Sequence, residues 1–396
     1  MQEIDFKRRY PKVQVITHDD LDGYGAGSII VFTLVNYLGY ELDDIIVTNT
    51  HYENPFPVDS ECNFVIVTDI SISNRDLLDK ILEFENLNKN NNILIWLDHH
   101  QTTVNTINSV RALPVPPRHH IINTKGSGTL LAYLFHELVV RAKNEYLAIS
   151  GVEPAITMDY VKTHILKMID ESAPIIDQWL NEYNYIINSG MPYKGYIPLG
   201  IRMIDDYDRW IHNNRESILL NAAFYGDPAF PKDCKNQDLF YLVIDNGERL
   251  YDMVQIGRTI YSAEKLAFMM NLKNKGFIAT PTKGYDNTQI ICVENGYGNS
   301  SHFGFNLGME FSNLKSIFSV TESGKYKVSI YDTCGRSAIK PQEICEKYGG
   351  GGHPQAAGFV TDKYPWTNIR PLTDEMKDYL EKEISETIRS MTKTGD

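Results

Sequence analysis

The stretch VITHDDLDG (15–23) places His18, Asp19, Asp20 and Asp22 directly behind a short apolar run. Two other apolar runs end in the same kind of residue: FVIVTD (64–69) closes on Asp69, and ILIWLDHH (93–100) on Asp98, His99 and His100. Carboxylates gathered in one crevice repel one another unless cations offset their charge, so a metal-free site with all of them ionised is excluded. Imidazole mixed with carboxylate, without thiolate, suits a first-row divalent ion such as manganese better than calcium, or than zinc held by cysteine. These donors outnumber what one ion can use. Two ions about 3.5–4 Å apart that share a bridging carboxylate are the arrangement with which phosphoryl-transfer enzymes activate water and stabilise the leaving oxygen. If the extended backbone of the first run persists, His18, Asp20 and Asp22 share one face and Asp19 faces away.

Each motif alone has an ordinary structural explanation. DLDG reads equally as a turn in which Asp accepts backbone amides and Gly supplies a positive φ. DHH reads equally as a helix N-cap followed by solvated histidines. The metal reading is carried by their joint occurrence at the ends of separate strands.

The elements that must position these residues alternate in type. VQVIT (13–17), IIVTN (45–49), FVIVTD, ILIWLD and HIINT (120–124) are short β-branched runs, and GAGSIIVFTLVNYLG (25–39) and NRDLLDKILEFENL (74–87) between them have helical spacing. Strands that are almost continuously apolar and separated by helices predict a doubly wound α/β domain, a parallel sheet covered on both faces. Its binding crevice lies beyond the carboxyl ends of the strands, where His18, Asp69 and His99 are expected to converge.

Downstream the pattern turns helical: GTLLAYLFHELVVRAKN (128–144) has the spacing of a core-packing helix, and DYVKTHILKMIDESAPIIDQWLNEYNYIIN (159–188) follows. Strand patterns return in TQIICVE (288–294), KYKVSIYD (325–332) and AAGFV (356–360), before a charged amphipathic helix, DEMKDYLEKEISETIRSM (374–391). The expected organisation is a catalytic domain at 1–225 with a helical insertion at about 145–195, a helical connector at 226–284, a smaller α/β substrate-binding domain at 285–373 across a cleft, and a C-terminal helix at 374–396.

A net charge of -13 over 396 residues argues against a long nucleic-acid track, which draws its affinity from Lys and Arg on phosphates. A short anionic substrate remains compatible, because bound cations invert the field inside one pocket. No apolar run approaches the roughly 20 residues of a membrane helix, and no apolar segment follows the basic N-terminal residues, so the expected location is the cytoplasm. Cys62, Cys234, Cys292, Cys334 and Cys345 lack C-x-x-C spacing and are expected as free thiols. The 24 tyrosines offer stacking surfaces for bases but equally reflect compositional bias.

A glycine run, Gly349–Gly352, follows an expected short helix from Pro341 to Tyr348. Its first glycine reads as a helix cap. The others would let backbone amides approach an anion closely, with His353 adding a hydrogen bond to the same phosphate or sugar.

HDDLDGYGAG, VTDISIS and LDHHQTT resemble motifs I, II and III of the DHH phosphoesterase superfamily, and TCGRSAIKPQEICEKYGGGGHPQAAGF (333–359) is similar to its DHH-associated substrate domain. The resemblance, strongest toward the oligoribonuclease (nano-RNase) branch, implies that His18, Asp20 and Asp69 hold one ion and Asp22 and His99 the other, with Asp69 bridging. Motif IV falls in RMIDDYDRW (202–210), where a Tyr-Asp-x-Trp pattern selects Asp208, with Asp206 as the alternative. Asp98 is then expected to accept a hydrogen bond from a ligand histidine, fixing its ring. His100 would face the scissile phosphate as a hydrogen-bond donor or proton source, and Asp19 takes no role. Arg336 and Ser337 match the pair that contacts the nucleotide, beside Gly350, Gly351, Gly352 and His353. The implied activity is that of a phosphodiesterase using two Mn2+ ions, with Mg2+ or Co2+ as substitutes. It would hydrolyse short oligonucleotides or dinucleotides to mononucleotides as a bridging hydroxide attacks phosphorus; homodimers occur in the family. The alternatives are hydrolysis of cyclic dinucleotides or nucleotide 3′-phosphates and, from another class, a nucleotide sensor without turnover. His51, His119, His120, His136, His164, His212 and His302 have no acid partner in any motif and are expected to be structural.

Overall fold

Strands β1 (Val13–His18), β2 (Ile45–Thr50), β3 (Phe64–Thr68), β4 (Ile93–Asp98) and β5 (His119–Ile122) form a five-stranded sheet in the order β2-β1-β3-β4-β5, every pairing parallel. The protein is seen here in a computed structural model that describes residues 12–50, 56–72, 74–87, 92–109, 117–154, 157–189, 195, 197–244, 247–283, 288–294, 314–321, 323–332 and 337–393. Every residue of β3 and β4 is buried, which is why their sequences run apolar up to the terminal Thr68 and Asp98 rather than alternating. From β1 the chain first steps outward to β2 and then crosses back to place β3 on the other side. The sheet is therefore doubly wound, with its switch point between β1 and β3.

Helices α1 (Leu21–Asn36), α2 (Arg75–Leu87), α3 (Gln101–Ser109) and α4 (Gly128–Ser150) follow β1, β3, β4 and β5 in turn. Trp96 of β4 is fully buried among Ile16, Val65, Val67 and Ile81, and its indole N–H donates to Ile70 O at 3.0 Å, so the large side chain leaves no polar atom unpaired. Beyond α4, which closes on Gly151 in the left-handed conformation (φ 72°), come α5 (Met158–Tyr160), a π-helical turn (Val161–Ile165) and α6 (Leu166–Ser189). Then follow α7 (Leu199–Asp208), α8 (Arg215–Gly226), α9 (Gln237–Ile244) and α10 (Glu248–Lys275).

Two compact units result: Met1–Ser217 with Pro231–Tyr251, and Ile218–Phe230 with Asp252–Asp396. Residues 231–251 return to the first unit because α9 packs on α1, where Phe240 stacks on Phe32 with ring centres 3.6 Å apart.

The second unit is built on a seven-stranded mixed sheet. Its order is β10 (Gly351–His353), β11 (Ala356–Thr361), β9 (Tyr326–Asp332), β8 (Leu314–Val320), β7 (Ile290–Glu294), β6 (Phe277–Pro281), β12 (Trp366–Pro371). Only the β7–β8 pairing is parallel. A short helix, Pro341–Glu346, buries Ile344 and Cys345 against Val328, Ile330 and Phe359, and a terminal helix spans Asp374–Lys393. The fold class is the one expected, a doubly wound α/β sheet with a second α/β unit. Strands β6, β8, β10 and β12 are additions to the strands expected from sequence, and β6 falls within the stretch read as a helical connector. In β12 only Trp366 is buried and the other residues are exposed edge positions, so no apolar alternation marks it.

Among the described residues no helix is long and apolar enough to cross a membrane. Cys62, Cys234, Cys292 and Cys345 are buried free thiols, and Cys334 lies outside the described residues.

Candidate metal centre

The carboxyl ends of β1, β3 and β4 lie side by side at the switch point. His18 is the last residue of β1, Asp69 follows β3, and Asp98 ends β4 ahead of His99 and His100. Asp69 departs from the strand with φ 58°, a left-handed conformation that costs a non-glycine residue about 1–2 kcal/mol. Its amide is tied to Leu97 O at 3.0 Å. Strain of this kind persists where surrounding structure over-determines a functional residue.

Three groupings bring potential ligand atoms within 4.8 Å of one another: His18, Asp20 and Asp69; Asp69, His99 and His100; and Asp22, His99 and Asp208. His99 Nε2 is the hub, 3.1 Å from Asp69 Oδ1, 3.4 Å from Asp208 Oδ2 and 3.7 Å from Asp22 Oδ2. On the other side His18 Nδ1 lies 2.7 Å from Asp20 Oδ2.

The electrostatics are those of a carboxylate cluster that could hold a cation. Burial, then the neighbouring Asp22 and Asp20 charges, push the carboxyls of Asp69 and Asp208 well above the usual carboxylate range. Asp69 Oδ2 and Asp208 Oδ2 are buried and accept no hydrogen bond. A buried acceptor left in that state costs about 1–3 kcal/mol. Divalent cations would satisfy both atoms and screen the repulsion, so the donor set fits metal ions. Asp20 differs: burial works against its charge, but hydrogen bonds from His18 and the Gly23 amide bring it down to about 2. Burial likewise opposes a charged His18, and Asp20 outweighs it and raises the imidazole.

The backbone does not stay extended through the first motif. β1 stops at His18, Asp20 becomes the N-cap of α1 by accepting the Gly23 amide at 2.9 Å, and Asp22 lies in the first helical turn. The expectation that His18, Asp20 and Asp22 share one strand face is therefore corrected. The turn divides them, Asp20 toward Asp69 and Asp22 toward Asp208.

Asp22 is seated by the start of α4. The amides of Gly128 and Thr129 donate to its two carboxylate oxygens at 2.6 and 2.8 Å, and Thr129 Oγ1 donates to its backbone oxygen at 2.8 Å. Helix N-termini favour anions because their first amides have no partner within the helix. Only glycine fits at 128, since a Cβ there would lie 2.6 Å from Asp69 Cβ. Apolar spacing in GSGTLLAYLF indicates core packing alone; the signal that reading misses is Ser127, the N-cap, which marks where the helix amides begin.

Of the acids in motif IV, Asp205 and Asp206 are occupied elsewhere. Asp205 accepts the Ser127 amide at 2.7 Å and the Tyr183 hydroxyl at 3.1 Å. Asp206 accepts the Asn213 and Asn214 amides and the Ser217 hydroxyl, at 2.8, 3.2 and 2.7 Å, ahead of α8. Asp208 alone of the three joins a ligand grouping.

Asp98 holds a histidine, but not the one that joins Asp22 and Asp208. Its Oδ1 pairs with His100 Nδ1 at 2.7 Å, while its Oδ2 accepts the Thr103 hydroxyl. The expectation that Asp98 fixes a ligand histidine is corrected to His100, because the chain turns into α3 after His100 and brings Thr103 beneath the carboxylate. Thr103 in turn accepts the Ile72 amide at 2.7 Å, a role invisible to motif matching.

In the second unit, Ser337 donates its amide to the buried Asp332 at 3.0 Å, and its hydroxyl is buried without a hydrogen-bond partner. The Asp332 amide donates to Gln355 O at 2.8 Å, which brings Ser337 to the corner where β10 turns into β11. Arg336 lies outside the described residues. Most of the glycine run has local causes. Gly349 takes φ 80° after the short helix, and a Cβ on Gly350 or Gly352 would strike Gly358 O at 2.1 Å or Ala356 O at 2.6 Å. Gly351 has open space around its Cβ direction, and His353 is half-buried beside it.

Of the other histidines, His119 pairs with Asp170 of α6 at 2.9 Å, outside any motif, and His136 with Thr33 at 3.0 Å. Burial pulls His212 down to about 4. His51 and His302 lie outside the described residues.

No protein-family model matches the chain, and no curated protein sequence matches it. Among solved structures, RecJ from Thermus thermophilus in complex with Mn2+ is similar at 13% identity and TM-score 0.45, over 96% of this chain and 52% of that one. The chain thus spans about half the length of that protein. A pGpG-specific phosphodiesterase, PggH, from Vibrio is similar at 14% identity and TM-score 0.32, over 96% and 99% of the two chains. CDC45 from Entamoeba histolytica is similar at 10% identity and TM-score 0.36, over 95% of each.

Proposed function

We propose that this protein is a divalent-metal-dependent phosphodiesterase of the DHH superfamily that hydrolyses short oligonucleotides or dinucleotides to mononucleotides. The observation that carries the proposal is the meeting of motifs I, II, III and IV in ligand groupings at the switch point, with two buried carboxylate oxygens left without hydrogen bonds.

His18, Asp20 and Asp69 would hold one ion and Asp22, His99 and Asp208 the other, with Asp69 between them. Bound there, Mn2+, or Mg2+ or Co2+ in its place, supplies the Lewis acidity that lowers the pKa of water and offsets charge building on a phosphoryl group. His100, turned by Asp98, donates to a phosphate oxygen or to the departing sugar oxygen. The α4 amides hold the Asp22 carboxylate in place. In the second unit, Arg336, Ser337, Gly350, Gly351, Gly352 and His353 are assigned to the terminal nucleotide. Gly351 is the position in the run whose glycine no local packing explains. The net charge of -13 favours short substrates over a long track.

The test is a product assay with Mn2+, with Mg2+ and with chelator, on linear dinucleotides, five-residue oligomers, cyclic dinucleotides, a nucleotide 3′-phosphate and pyrophosphate. Mononucleotide release from the linear substrates, lost with chelator, is expected. Turnover confined to cyclic dinucleotides or to the 3′-phosphate would replace the substrate assignment, and metal-independent turnover would overturn the mechanism.

A further inference from the structure

Asp22 and Asp208 reach the same place from α1 and α7, and what holds those approaches in register includes residues that are not among the candidate ligands. The start of α4 seats Asp22 through the Gly128 and Thr129 amides. Asp205, one turn before the end of α7, takes the Ser127 amide on Oδ1 at 2.7 Å and so joins the start of α4 to the helix that carries Asp208. The inserted helix α6 closes the frame. Its Tyr183 hydroxyl donates to Asp205 Oδ2 at 3.1 Å, and its Asn184 donates to Lys125 O at 2.7 Å. Arg209, beside Asp208, donates to Asn184 Oδ1 at 2.7 Å and to the same Lys125 O, with its Nε 3.2 Å from Asp205 Oδ1.

We infer that Asp205 is a positioning residue, braced by α6 through Tyr183 and by Arg209, that sets the separation of Asp22 from Asp208 and hence the affinity of the ion those two share with His99. The inference rests on the metal-centre reading above. Asp205 is 0% exposed and Tyr183 3%. A carboxyl group buried that completely is an expensive way to hold two helices, because well-packed apolar residues serve stability as well or better. What a carboxylate adds is direction: its two oxygens fix the α4 amide and the α6 hydroxyl at set angles from α7. The same arrangement gives the insertion a task, since without α6 Asp205 Oδ2 would lose the Tyr183 hydroxyl and Lys125 O would keep only the Arg209 donor.

The test is a calorimetric titration of the full chain with Mn2+, comparing the parent with Asp205→Asn and Tyr183→Phe. The parent is expected to take up two ions. Asp205→Asn should weaken one of them by roughly 10–100-fold, as loss of an outer partner does, and leave the other within about threefold. Tyr183→Phe, which keeps the ring and removes one hydrogen bond, should weaken the same ion by less. If Asp205→Asn does not fold, Tyr183→Phe decides by the same selectivity. Parent-like affinity for both ions in the variants, or equal weakening of both with a lowered melting temperature, overturns the brace alone. A parent that binds no ion overturns the metal centre together with it.

Discussion

Asp208 Oδ2 lies 3.4 Å from His99 Nε2, so the last residue of α7 meets the residue that follows β4. Neither the hydrogen bonding of Asp208 nor its own helix accounts for that approach, since the oxygen accepts no hydrogen bond and sits among other acids. Asp208→Asn is therefore expected to separate stability from function. Calorimetry should show Mn2+ affinity falling by more than the roughly 100-fold typical of an outer partner. Thermal melts of the metal-free variant should show a gain on the order of 1 kcal/mol, because one of several repelling carboxylates is gone.

The raised carboxyls of Asp69 and Asp208 make the stability of the metal-free protein depend on pH. Each holds a proton more tightly when folded, so the folded state binds more protons than the unfolded one. Stability is then full below the unfolded carboxylate pKa of about 4 and is lost as pH rises through the raised folded values. Melting temperatures of the metal-free chain should fall as pH is increased above about 4, and saturating Mn2+ should remove that fall. A metal-free melting temperature that climbs over the same interval would contradict the burial of these acids.

Gly128→Ala and Gly351→Ala distinguish a glycine required by the centre from one that is not. A Cβ at 128 would lie 2.6 Å from Asp69 Cβ and 2.9 Å from Asp22 Oδ2, whereas at 351 nothing lies within 4 Å. Denaturant melts should show a loss of about 1–3 kcal/mol for the first, from overpacking. The second should stay within about 0.5 kcal/mol. If Gly351 contacts the terminal nucleotide, its alanine variant should raise KM at unchanged stability.

Thr103→Val removes the hydroxyl that Asp98 and the Ile72 amide both use. The buried carboxylate oxygen then loses its donor, a cost of about 1–3 kcal/mol. His100, held by the other oxygen, loses its fixed orientation. A lower kcat at little-changed KM is expected, with Thr103→Ser restoring both rate and melting temperature. Equal kinetics in the valine variant and the parent would remove Thr103 from the support of His100.

The sheet and the ends of its strands are legible in the sequence because the buried central strands β3 and β4 are apolar almost throughout and the acids and imidazoles at their ends stand out against that background. Motif IV is legible as a group, and its Tyr-Asp-x-Trp pattern picks out Asp208, which joins His99 and Asp22 in the structure. What Asp205 and Asp206 do is not legible, because only tertiary partners such as Tyr183 and Ser217 reveal it. The α4 amides that seat Asp22 are hidden for a different reason, since backbone donors leave no residue type to read. Strands β10 and β12 escape because edge strands bury little and so lack alternation. Two positions of the glycine run read as an anion cradle, Gly350 and Gly352, also have a packing cause in the closeness of Gly358 and Ala356, which the sequence does not reveal.

The most direct measurement of the central claim is anomalous diffraction at the manganese edge from crystals grown with Mn2+. Two peaks are expected, one among His18, Asp20 and Asp69 and one among Asp22, His99 and Asp208. Crystals with no peak among these residues, or with manganese bound only elsewhere on the chain, would contradict the assignment of this strand-end cluster as a metal centre.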